Sequence, residues 1–260
     1  MQIIIITILV AFAWLAWRDL KLALTLILAL LPAYLLRFTI VIPWTVLEGF
    51  ILIAFAVWIW QRRPRGPSLR AWFRVYLWPL AGLTAIATIS IIWAPDKVAA
   101  LGLWKAYFVE PMLVFAMLRS TFTERADWTR ALMALGLTTI AISIFAIFQA
   151  LTGLGLPIPW DVERRATSFF AYPNAVGLFV APIVSALSVV VLTQNKHSLV
   201  HASGEGEGEE IYASGAGWVW PVGALITIAA GILAIVLAET EAAIVAIPVA
   251  LLATLLISKV

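Results

Sequence analysis

Hydrophobic positions in this chain fall into nine long runs, at roughly 3–17, 20–36, 41–60, 73–93, 98–118, 131–151, 175–192, 219–238 and 242–258, each bounded by charge or turn residues. The runs are too continuously apolar for barrel strands, in which lipid-facing and lumen-facing residues alternate. Helices satisfy their own backbone hydrogen bonds, so runs of this kind in lipid predict helices. The pattern therefore predicts an all-α, polytopic transmembrane helix bundle of about nine spans, forming a single transmembrane domain over residues 1–260. Three connections stand out: a basic loop at 61–72, a loop at 152–174, and a Gly/Glu-rich linker at 194–217.

Composition agrees. The 260 residues are 63% hydrophobic, and only 17 basic and 14 acidic residues serve the whole chain, too few for the surface of a soluble domain of this length. Soluble-enzyme classes are thereby excluded. Thirteen Trp are present. Trp14, Trp17, Trp44, Trp58, Trp60, Trp78, Trp93, Trp218 and Trp220 fall near run ends, where amphipathic rings sit among headgroups. With no cysteine, the chain has no disulfide, no Cys-ligated metal and no thiol nucleophile. His197 and His201 alone do not make a metal site, so no metal and no cofactor is expected. The N-terminus lacks a basic leader and a cleavage site, and reads as a retained first span.

The net charge of +3 reports orientation and gives no nucleic-acid reading. Arg62, Arg63, Arg65, Arg70 and Arg74 occur without an intervening acid, which assigns the 61–72 loop to the cytoplasm. Counting outward, Arg18, Lys21, Arg119, Arg125, Arg130, Lys196 and Lys259 join that side, giving twelve basic residues inside. Arg37, Lys97, Lys105, Arg164 and Arg165 are left as the five outside. The 152–174 loop is then extracytoplasmic and the 194–217 linker cytoplasmic.

Ionisable residues within the runs are costly and usually face a cavity or the bundle interior. By this count Glu48, Lys105, Glu239 and Glu241 lie toward the outer side and Glu110 near the midplane, and none lies deep in the inner half. Glu48 reads either as an interface residue or as part of a polar zone, and Glu239 and Glu241 either as turn residues or as part of that zone. Lys105 and Glu110 are five apart, about 140° apart on a regular helix, so each needs another partner. Together with Asp96, Lys97, Asp161, Glu163, Arg164 and Arg165 they outline a mixed-charge region.

Arg164-Arg165-Ala166-Thr167-Ser168-Phe169-Phe170-Ala171-Tyr172-Pro173-Asn174 concentrates the candidate chemistry. Two guanidinium groups on the outer side run against the usual bias, and their planar forks suit phosphate. Pro173-Asn174 marks a helix start, whose free N–H groups favour an anion nearby. The bland reading is an ordinary outer-loop pair that binds headgroups or the neighbouring Asp161 and Glu163.

The run from Arg165 to Asn174 resembles the O-antigen ligase and O-antigen polymerase-like family of multispan bacterial glycosyltransferases. That pattern has an Arg, two variable residues, a small residue, a Phe two further on, and Pro-Asn entering a helix. The segments Ile42–Glu48, Trp104–Pro111 and Ala238–Ala243 are similar to parts of one branch of the family. The resemblance implies a membrane enzyme of the bacterial cytoplasmic membrane. It would transfer a glycan from a polyprenyl-diphosphate carrier to a lipid or glycan acceptor at the outer face. Its role would be surface polysaccharide ligation or polymerisation, with no cofactor and with membrane lipids as surroundings. It implies Arg165 as catalytic, with Asn174 as the helix-opening residue of the substrate site. Arg164 has no counterpart in the pattern and is expected to assist Arg165 in binding substrate, and Lys105 and Glu110 are substrate-binding candidates from their position within a span, with structural interhelical pairing as the alternative. Two departures accompany the resemblance. Where family members often carry Thr-x-Ser-Arg, this chain has Glu239-Thr240-Glu241-Ala242. The chain also resembles an N-terminal portion, because family members continue for further spans and a large outer loop. A transporter or flippase of lipid-linked glycans, and a non-catalytic scaffold of envelope polysaccharide assembly, are the competing readings.

Overall fold

Most apolar runs are helical; the chain leaves the helix at Asp19 and near Pro32, whereas Pro79, Pro182 and Pro248 lie inside helices. The computed structural model describes residues 2–40, 42–62, 67–202 and 219–257. Side chains of 62–77 and 193–201 lie outside the described residues. With them go Arg62–Arg74, His197 and His201, and the Gly/Glu-rich stretch 203–218 is likewise outside. Helix α1 runs Gln2–Arg18 and α2 Leu20–Ala29, parted by Asp19, whose carboxylate accepts from Leu22 N at 3.0 Å. The run expected to span 20–36 stops at Ala29. Pro32 has no N–H to continue the ladder, and Leu31–Leu35 forms a short 3₁₀ turn instead.

A second departure follows. Residues expected to open the third helix form an antiparallel hairpin, β1 Arg37–Ile40 with β2 Ile42–Thr45, pairing Arg37 with Thr45. Helix α3, Val46–Arg62, starts only where Thr45 and Glu48 cap it reciprocally. Thr45 N donates to Glu48 Oε2 at 3.0 Å, and Glu48 N donates to Thr45 Oγ1 at 3.1 Å. Helix α4, Pro67–Trp93, begins inside the expected 61–72 loop. Then α5, Lys97–Trp104, passes through a π-turn at Lys105–Val109 into α6, Glu110–Thr121. Helix α7 is Arg125–Thr152 and α8 the single turn Trp160–Glu163. Helix α9 is Asn174–Ala202, so it extends into the expected 194–217 linker. Helices α10, Val219–Leu237, and α11, Glu241–Ile257, complete the described chain.

The fold is all-α apart from the hairpin. Four helical stretches are long and apolar enough to cross a membrane among the described residues: Lys97–Thr121, Arg125–Thr152, Asn174–Leu192 and Trp220–Leu237. Among the described residues the other apolar helical stretches cover 10–17 residues each, so four of the nine expected spans are described at spanning length. The ten residues of α2 rise about 15 Å against a hydrocarbon core of about 30 Å.

One transmembrane domain was expected, but contacts divide the chain into two compact units, Met1–Ala131 and Leu132–Val260. In the first, α1, α2, α3 and α6 pack on one another, with Phe12 stacked on Phe50 at 4.3 Å. The α1–α2 junction, the end of α3 and the α6–α7 junction gather at one end. Gln61 Nε2 donates to Trp17 O at 2.7 Å, Trp58 Nε1 donates to Ser120 Oγ at 2.8 Å, and Lys21 pairs with buried Asp127 at 2.7 Å. In the second unit α9 packs against α10 and α11 around Val176, Val180, Val184 and Ile235. Small residues set the spacing. A Cβ at Gly231 would lie 2.6 Å from Val184 Cγ2. One at Gly177 would collide with Thr240 and lie 2.9 Å from Ala243 Cβ, so α9 closes on α10 and α11 only with glycine there.

Candidate functional site

The loop between Thr152 and Asn174 is held from inside by one side chain, Gln149 of α7, which is fully buried. Its Oε1 accepts from Thr167 N at 3.0 Å and Ser168 N at 2.7 Å. Its Nε2 donates to Gly155 O at 2.8 Å and Ser168 O at 3.1 Å. Ser168 Oγ adds a bond to Ile142 O at 2.8 Å. A buried amide with every group engaged fixes the backbone it touches. Ala166 and Phe170, both buried, key the same loop into the α9–α10–α11 core, and Ala166 N donates to Leu237 O at 2.9 Å. Arg165 is delivered from this clamp.

Helix α10 ends in a Schellman arrangement. Glu239 N donates to Val236 O at 2.9 Å and Thr240 N to Ile235 O at 3.2 Å, with Glu239 in the left-handed region at φ 51. Glycine is usual at that place, and a side chain there costs about 1–2 kcal/mol. Arg165 covers the carbonyls just beyond. Its Nη2 donates to Ala238 O and Glu239 O, each at 3.2 Å, and Nε approaches Ala238 O at 3.4 Å. A cation over the last carbonyls of a helix also complements its dipole. Two carboxylates flank it: Glu239 Oε2 lies 3.5 Å from Nε and Glu163 Oε2 lies 3.9 Å from Nη1. The Trp160 ring lies 5.2 Å from the guanidinium carbon.

Three non-glycine residues among those described have positive φ: Arg164 at 54, Ser168 at 51 and Glu239 at 51. Arg164 adjoins Arg165, Glu239 lies in the turn that Arg165 covers, and Ser168 lies in the same loop, held by Gln149. Such strain persists only where surroundings over-determine it, and it clusters at functional sites.

Arg165 and Asn174, the first residue of α9, line one cavity of about 700 Å³ together with Glu239, Thr240 and Glu241. The rest of the lining is apolar, contributed by α9 and α11 and including Gly177 and Ala243. The pocket thus sets a cation and carboxylates beside an apolar surface. The two adjacent arginines are separated in role. Arg164 is exposed, caps α8 in the left-handed region and lies against Gly153, and it is not among the cavity-lining residues.

The other two candidates belong to the first unit. Lys105 pairs with Glu48 at 2.9 Å and lies 4.8 Å from the centre of the Trp44 ring. Glu48 spends its other oxygen on the α3 cap, so it is half of a capping box and half of an ion pair. Lys105 and Glu110 do not diverge by the angle of a regular helix. Glu110 N donates to Lys105 O across the π-turn, so Glu110 sits one wide turn above Lys105. One carboxylate oxygen of Glu110 is buried with no hydrogen-bond partner.

Two important residues carried visible signals that the sequence reading passed over. Gln149 is an amide near the end of an otherwise apolar run, and Thr45-Val46-Leu47-Glu48 has the Thr-x-x-Glu spacing of a capping box. Among the described residues no group of three or more His, Cys, Asp or Glu is placed to hold a metal ion. Comparison with models of known protein families gives no match, and neither curated proteins nor solved structures match the chain.

Proposed function

We propose that this protein is a membrane glycosyltransferase acting on a polyprenyl-diphosphate-linked glycan at the outer face of a bacterial cytoplasmic membrane, in surface polysaccharide ligation or polymerisation. The observation that carries the reading is the single cavity shared by Arg165, the start of α9 at Asn174, and the carboxylates of Glu239 and Glu241. Its mixed lining, a cation and carboxylates beside apolar residues of α9 and α11, suits a ligand with a charged head and a hydrocarbon chain. The resemblance of the Arg165–Asn174 run to O-antigen ligases and polymerases supplies the reaction class.

In this reaction the acceptor hydroxyl oxygen bonds to the anomeric carbon while the bond from that carbon to the phosphate oxygen breaks. The polyprenyl diphosphate leaves with the electron pair, and the hydroxyl proton passes to a base. Negative charge grows on the diphosphate, so a fixed guanidinium stabilises the transition state more than the ground state. Arg165 is fixed in this sense, because backbone carbonyls and the Gln149 clamp set its position. Glu239 and Glu241 are the carboxylates within the cavity that can take the proton. Asn174 supports the anion from the helix entrance.

Purified full-length protein, supplied with lipid-linked glycan and acceptor, tests the reading. Arg165→Ala is expected to abolish transfer while membrane insertion is retained, and normal transfer by that variant would remove Arg165 from the mechanism. One observation favours transport of lipid-linked glycan instead: the unpartnered Glu110 oxygen on the helix that carries the Lys105–Glu48 pair. Movement of labelled lipid across proteoliposomes without chemical change would favour that reading over transfer.

A further inference from the structure

We infer that Glu239 is a resident counter-anion of Arg165, occupying the place beside the guanidinium that a phosphate group of the ligand takes over on binding. This deepens the reading of the cavity as a lipid-diphosphate site and rests on it for the ligand's chemical class.

Four observations lead there. First, Arg165 does not need Glu239 to hold it. Its Nη2 is committed to the Ala238 and Glu239 carbonyls at 3.2 Å, and its loop is keyed by Ala166 to Leu237 O. Second, the two carboxylates beside it are the movable partners. The side chains of Glu239 and Glu163 are 65% and 61% exposed, while that of Arg165 is only 19% exposed. Third, among the described residues Nη1 has an ion-pair contact with Glu163 Oε2 at 3.9 Å, beyond hydrogen-bond distance, so the two N–H groups of that nitrogen are left for an incoming oxygen. Fourth, Glu239 sits at φ 51, where glycine is the favoured residue. The backbone turn gives no reason for a glutamate there, so the reason lies in the side chain, and that side chain meets Arg165 in the cavity lining.

A carboxylate in this position does two things. It keeps the guanidinium oriented and neutralised in the empty site, and it lowers affinity for any anion that must displace it. Weak anions, such as a single phosphate monoester, are held off more effectively than a diphosphate, whose larger charge outcompetes the glutamate. The site would thereby discriminate a diphosphate from the phosphate headgroups that surround it. Glu241 lines the same cavity but makes no ion pair with Arg165, so it provides the control for net charge alone.

The experiment measures binding of inorganic pyrophosphate and of farnesyl diphosphate to detergent-purified full-length protein, comparing wild type with Glu239→Gln, Glu241→Gln and Arg165→Ala. Glu239→Gln is expected to tighten both probes by about threefold, within the range of one exposed ion pair, and Glu241→Gln to change them less. Inorganic phosphate is expected to gain more than pyrophosphate in Glu239→Gln, and Arg165→Ala to lose the tightening when combined with it. A larger gain for farnesyl diphosphate than for pyrophosphate identifies a lipid-borne ligand, and equal gains a free one. Equal effects of the two glutamine variants, weaker binding in Glu239→Gln, or no binding by wild type and Glu239→Gln at millimolar probe would overturn the inference. A protein that fails to transfer glycan but shows the selective tightening would refute the proposed reaction and leave the counter-anion role standing.

Discussion

Two places in this molecule bring a cation against a carboxylate, and they use the same chemistry differently. In the first unit, Lys105 and Glu48 satisfy each other at 2.9 Å, and Glu48 also closes the cap of α3, so each charge is tied into the helix framework. In the second, Arg165 is tied to backbone carbonyls, and its carboxylates Glu163 and Glu239 stand exposed, Glu239 as part of the cavity lining. The lesson is that an ion pair is informative only with its anchors. A pair whose members also hold backbone is part of the scaffold, and one whose cation is anchored independently has an exchangeable partner.

The comparison breaks most severely if the anchor fails. Gln149→Leu leaves the buried N–H groups of Thr167 and Ser168 without acceptors, and should cost about 4 kcal/mol in denaturant unfolding. It should also release the Arg165 loop to proteolysis. A variant as stable as wild type, with the loop still protected, would mean that Arg165 is not held from Gln149. A smaller loss is expected from Gly177→Ala, since the added methyl meets Thr240 and Ala243 and must push α11 from α9 at about 2 kcal/mol. Unchanged stability together with an unchanged cavity would contradict the close approach.

The first unit offers a finer cut. Glu48→Gln keeps an N3 side chain able to complete the cap and removes the ion pair, whereas Glu48→Ala removes both. Glu48→Ala should therefore be the less stable by about 1 kcal/mol, the worth of a cap. Equal losses would mean that the cap carries nothing. The smallest expected effect has the opposite sign. Glu239→Gly relieves the left-handed strain and should raise unfolding stability by about 1 kcal/mol. A net loss would show that the Arg165–Glu239 ion pair is worth more than the strain, and would move this pair toward the scaffold class.

Much of the fold was legible because apolar runs in this chain translate directly into helices, and Thr152 and Asn174 bound the Arg165 loop where the pattern changes. The interruptions were harder to read. Asp19, Pro32 and Pro43 are visible breakers, yet each sits beside or within an apolar stretch whose length alone argues for one continuous span. Arg165 stood out as half of an arginine pair ahead of Pro173-Asn174, while its hold on the end of α10 joins residues 73 and 74 positions apart. No local pattern encodes such a contact. The left-handed Glu239 was also illegible, because the usual signal for that conformation is a glycine.

The π-turn at Lys105–Val109 has a consequence for how relatives of this chain will align. It accommodates one residue more than an α-helical turn, so loss of a single residue there would leave a regular helix with the Lys and the Glu four apart and still one turn above each other. A chain one residue shorter between Trp104 and Pro111 would keep the two on one face. A one-residue gap at that place is therefore compatible with the same arrangement.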